Sequence, residues 1–112
     1  MKIRQRDIDD VVVLDVNGKI MGGPDSDVFK QTIQALIDAG KRKVLVNLEG
    51  VNWINSTGLG ILIAGFSDMH KSGGKLKLVN VSERIESLLM ITKLSTIFES
   101  FRREDEAIQS FV

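Results

Sequence analysis

The chain has 112 residues, too few to build two hydrophobic cores, so one domain over 1–112 is expected and two-domain enzyme architectures are excluded. Apolar residues make up 43% and charged residues 27%, as in ordinary globular proteins, and 15 Lys and Arg offset 15 Asp and Glu, which removes the attraction that supplies non-specific binding to nucleic acid or anionic lipid. With no Cys and one His, disulfides, thiolate metal sites, thiol catalysis and multi-histidine centres are excluded.

The N-terminal Met1-Lys2-Ile3-Arg4-Gln5-Arg6-Asp7 is charged where a secretory signal needs an apolar core, and no apolar run approaches the ~20 residues of a membrane span. A cytoplasmic protein without direct membrane insertion is expected. Val11-Val12-Val13-Leu14-Asp15-Val16 is apolar and β-branched and follows a shorter stretch around Ile3 and Ile8, which predicts two antiparallel strands near 2–7 and 11–17. Gly18-Lys19-Ile20 reads as a turn, and Gly22-Gly23-Pro24-Asp25-Ser26 as a loop that starts a helix. Phe29, Ile33, Leu36 and Ile37 place that helix at about 26–39, with Gly40 as its left-handed cap.

Lys43-Val44-Leu45-Val46-Asn47-Leu48 reads as a strand buried on both faces. Leu59, Leu62, Ile63, Phe66 and Met69 predict a second helix over about 57–71, ended by Gly73-Gly74. Lys75–Val79 alternates as a strand, and Val81-Ser82 opens a third helix with Ile85, Leu88, Leu89 and Thr92 on one face. Leu94, Ile97, Phe98 and Phe101 predict a last short strand, and Glu104 to Phe111 a final helix with Ala107, Ile108 and Phe111 inward. The order β-β-α-β-α-β-α-β-α predicts a small α/β domain with a mixed sheet and crossover helices.

No catalytic constellation can be assembled. His70 lies a helix length from Ser56, roughly 20 Å at 1.5 Å per residue, and is expected as an exposed helix residue. Glu49 and Asp68 have no partner at metal-ligand spacing. Gly58-Leu59-Gly60 fails as a dinucleotide fingerprint because Ile63 stands where the third glycine belongs, and no Gly-Lys-Ser/Thr is present. Neither a metal nor a cofactor is expected. Gly60 is expected where the second helix packs closely on the sheet, Trp53 in the core with an exposed partner anchor as its alternative, and Met69 and Met90 as gap fillers.

Ile54-Asn55-Ser56-Thr57-Gly58-Leu59-Gly60 is the informative segment. It puts two hydroxyls at a helix start, where backbone N–H groups lack partners and the dipole favours negative charge. Plain N-capping by Asn, Ser or Thr is one reading of it. The segment also resembles the phosphoacceptor motif of the anti-sigma factor antagonists, single-domain members of the STAS family, whose pattern is Asp, Ser, Ser or Thr, Gly, Leu, Gly. Val44–Leu48, Gly73-Gly74 and Ile91 to Phe98 resemble that family's strand before the motif, its turn and its segment before the final strand, so nearly the whole chain is covered.

The resemblance implies a STAS-type α/β fold and a phosphorylation switch without enzymatic activity of its own. The unmodified form would bind an anti-sigma factor, often an ATP-dependent serine kinase, and so release a sigma factor for transcription; the kinase would modify Ser56, and a metal-dependent serine phosphatase would restore it. Ser56 is the implied acceptor, with Asn55, Thr57, Gly58, Leu59, Met21, Gly22 and Gly23 as the implied partner and kinase contacts. Two positions depart from the pattern. Asn55 and Met21 stand where members carry Asp, and Gly22-Gly23-Pro24 lengthens the next loop by one residue. Those departures favour an alternative, an unphosphorylated STAS subunit docked to a membrane transport complex; a weak nucleotide-binding module is a third reading.

Overall fold

A computed structural model describing residues 1–112 has the expected order of elements. They are β1 (Lys2–Ile8), β2 (Val11–Ile20), α1 (Pro24–Asp38), β3 (Lys43–Ile54), α2 (Ser56–Lys71), β4 (Lys75–Val79), α3 (Glu83–Ile91), a single 3-10 turn (Leu94–Thr96), β5 (Ser100–Phe101) and α4 (Glu104–Gln109). The five strands lie in chain order, β1-β2-β3-β4-β5. The β1–β2 hairpin is antiparallel and every later pairing is parallel.

Strand alternation divides the core. Val12, Leu14 and Val16 of β2, with Val44, Val46 and Leu48 of β3, join one large cluster with Phe29, Ile33 and Leu36 of α1, Leu59 and Leu62 of α2, and Ile85 and Leu89 of α3. Val11, Val13, Leu45 and Val79 point the other way and meet Ala107 and Phe111 at the C-terminal segment. Three crossover helices therefore cover one face of the sheet, as connections of one hand require, while α4 covers only part of the other.

Lys77 is the one buried charged residue, 4% exposed, and its burial is compensated. Its ammonium donates to the carbonyl and Oγ of Ser110, both at 3.0 Å, pairs with Glu99 at 3.3 Å, and lies 4.7 Å from the centre of the Phe111 ring. These contacts fix α4 against β4.

Several boundaries differ from expectation. β2 does not turn at Gly18 but runs to Ile20, because its last residues pair with an equally extended β3, where Gly50 is backed against Asn17 and the register slips between Asp15 and Asn17. β3 accordingly ends at Ile54 rather than Leu48. α1 starts at Pro24, a residue suited to a first helical position. The stretch from Leu94 is a 3-10 turn that drops Phe98 into the core, leaving only Ser100 and Phe101 as strand, and α4 stops at Gln109. Met69 fills the core as expected, whereas Met90 is 64% exposed at the end of α3.

Candidate functional site

In a parallel sheet the helices start where the strands end, so the N-termini of α1, α2 and α3 gather at one end of the molecule. The α2 start is built first by Asn55. It is extended (φ −114°, ψ −175°), and its Oδ1 accepts the Gly58 N–H at 2.8 Å, satisfying one of the donors left open at a helix start. Asn therefore makes the capping bond that Asp would make. Its Nδ2 donates to the Met21 carbonyl at 3.4 Å, joining α2 to the β2–α1 loop.

Ser56 is the first residue of the helix, exposed, and its hydroxyl has no hydrogen-bond partner. Thr57 is exposed as well; the capping bond belongs to Asn55, not to either hydroxyl. Gly58 and Leu59, expected among the contact residues, are both buried, so they shape the site from beneath. A Cβ on Gly58 would stand 1.9 Å from the Ile20 carbonyl oxygen, and only glycine lets β2 and α2 approach so closely. Gly60 makes no close approach: nothing lies within 4 Å of where its Cβ would be, and Gly58 and Gly65 are the glycines of α2 packed against neighbours.

The β2–α1 loop closes the other side. Met21 is 45% exposed. Gly22 sits at φ +111° with a Cβ position 2.8 Å from the Thr57 methyl, so the loop backbone rests against the first turn of α2. Gly23, also exposed, leads into Pro24. No acidic residue lies in the first turn of α2. An acid does reach this loop from the first turn of α1: Asp25 Oδ2 accepts the Met21 N–H at 3.3 Å, and its Oδ1 pairs with the Met1 ammonium at 3.2 Å. An acidic residue at a helix start was the signal for it.

The structure thus brings Ser56, Asn55, Thr57, Met21, Gly22 and Gly23 to one surface around a free hydroxyl. Trp53, expected in the core, is 37% exposed nearby, with the Arg84 guanidinium 4.1 Å above its ring centre. His70 lies at the far end of α2, exposed and stacked on Phe66. No group of acidic or histidine side chains could hold a metal ion.

The STAS domain model matches residues 2–107. The chain belongs to the STAS domain family. Within that family it is similar to the anti-sigma-B factor antagonist of Bacillus subtilis, 33% identical over 82 residues that cover 73% of this chain and 74% of the relative. Among solved structures, a Thermotoga maritima protein named as a candidate anti-sigma factor antagonist superposes with a TM-score of 0.87 at 27% identity, covering 96% of this chain and 92% of that one. The Bacillus protein SpoIIAA in its phosphorylated form superposes at 0.76 with 18% identity over 99% and 100% of the two chains, a likeness of fold. This STAS domain thus stands among the anti-sigma factor antagonists. No helix is long and apolar enough to cross a membrane.

Proposed function

We propose that this STAS protein is an anti-anti-sigma factor switched at Ser56. Unmodified, it binds an anti-sigma factor of the serine-kinase type and so releases a sigma factor. The kinase moves the γ-phosphoryl group of ATP onto Ser56 Oγ, the hydroxyl proton leaves, ADP departs, and the complex separates. A serine phosphatase hydrolyses the ester and restores binding. Such partners belong to the cytoplasm.

The observation that carries this reading is the uncovered, unbonded hydroxyl of Ser56 at the first position of α2. A phosphate there adds about −1.5 to −2 charges at pH 7. The helix N-terminus tolerates that charge at a gain of about 0.3–1 kcal/mol, so the fold survives modification. At a docked surface the same dianion must be desolvated against the partner, and about 1.4 kcal/mol already changes affinity tenfold. The attacking chemistry belongs to the kinase; Ser56 has only to be exposed and oriented. The likeness to SpoIIAA, a protein solved in both unphosphorylated and phosphorylated forms, supports the same reading.

The test is phosphate incorporation, followed by intact-mass spectrometry, with the cognate kinase and ATP. Wild type should gain one phosphoryl group and Ser56→Ala none, while Ser56→Ala still binds the anti-sigma factor. Incorporation that persists in Ser56→Ala moves the acceptor elsewhere, to Thr57 first. A constitutive docking subunit of a transport complex would take up no phosphate at all.

A further inference from the structure

Trp53, Lys19 and Arg84 gather where β3 runs past the end of β4. Lys19 of β2 is the register partner of Trp53, and the next pair, Ile20 and Ile54, points into the core, so Lys19 and Trp53 share the opposite face. Arg84, in the first turn of α3, stacks its guanidinium on the indole at 4.1 Å. Both cations are exposed, and neither takes part in any of the protein's six ion pairs, which use Met1, Arg6, Lys43, Lys77 and Arg103. Glu83 and Glu86, the acids closest in sequence, line a separate hollow with Asn80 and Arg102.

A stacked guanidinium keeps its N–H edge free and held in one plane, the form that accepts a carboxylate through two parallel bonds. Large aromatic side chains beside a cation are also the residues on which protein contacts concentrate their energy. We infer that Lys19, Trp53 and Arg84 form a cationic aromatic platform at the end of β3, just before the α2 start, that takes an Asp or Glu side chain of the anti-sigma partner. This inference rests on the function proposed above and supplies its electrostatic half: a phosphate three residues along the chain from Trp53 brings a dianion to the same strand end as the cations that the partner's carboxylate needs.

The test uses the full chain and its purified cognate anti-sigma factor, with Lys19→Gln, Arg84→Gln and the double variant. The double variant should bind at least about tenfold more weakly than wild type, with a flatter salt dependence. Wild-type affinity in the double variant overturns the platform while leaving the Ser56 switch standing; failure of wild type itself to bind overturns the proposed function. A second arm needs no partner, because Trp53 is the only Trp. With each ion's quenching scaled to that of free N-acetyltryptophanamide, iodide should quench its fluorescence more strongly than caesium in wild type, and the scaled difference should vanish in the double variant. Equal scaled quenching of wild type by both ions, or loss of heparin binding in the double variant with partner affinity unchanged, also overturns the carboxylate assignment.

Discussion

Two glycines spaced two residues apart in α2 have opposite tasks. Gly58 is pressed against the Ile20 carbonyl, and Gly60 faces open space. Gly58→Ala should therefore cost about 2–3 kcal/mol, since backbone cannot yield as a side-chain tip can. Gly60→Ala should stabilise by up to about 1 kcal/mol, the ordinary gain of Ala over Gly in a helix. Urea unfolding midpoints of the two variants check both signs. At the cap, Asn55→Ala should lose about 1 kcal/mol, whereas Asn55→Asp keeps the bond to Gly58 and adds a charge that the helix dipole favours but gives up the donor to the Met21 carbonyl, so it should stay within about 0.5 kcal/mol of wild type. Thermal melts of the pair against wild type decide it. The hydroxyl at the helix start and its residue types were legible in the sequence. Which glycine carries the close approach was not, because that depends on where β2 passes beneath α2, and Trp53 was misplaced because local hydrophobicity does not reveal that β3 outruns β4.

Helices and strands were legible wherever periodicity was strong, as along Leu59–Met69, and failed where tertiary pairing set the limits. Asn17-Gly18 carries turn chemistry, yet the pairing of β2 with β3 draws it into a strand. Strand pairing also creates a polar network that no short motif announces. Arg6 of β1 donates to both oxygens of Asp15 on β2 at 2.6 and 2.9 Å and also to Glu104 of α4; Asn47 of β3 donates to Asp15 at 2.8 Å, and Asn80 donates to Asn47 at 2.9 Å. The Arg6 guanidinium holds the Asp15 carboxyl below the usual carboxylate range, with help from Asn47 and against its partial burial. A depressed carboxylate contributes stability that is present above its unfolded pKa of about 3.9 and is lost as pH falls through its lower folded value. Asp15→Asn should be about 1–2 kcal/mol less stable than wild type at neutral pH, with the gap closing below the ordinary carboxylate range. A gap that stays constant into strong acid would contradict the linkage.

For the molecule as a whole, the alternation of strands and helices identified the class of fold, and the order of strands follows once each crossover has one hand. The division of labour across the sheet was not legible: three helices bury one face, and a six-residue helix pinned by Lys77 covers part of the other. This division leaves the helix-start end free of the core, so its surface can change charge without loosening the fold. The central claim is that one dianion at Ser56 switches partner choice. It is tested most directly by titrating the cognate anti-sigma factor with unmodified and with stoichiometrically phosphorylated protein, monitored by calorimetry. The phosphorylated form should bind at least about tenfold more weakly while keeping its circular dichroism; equal dissociation constants for the two forms would contradict the switch.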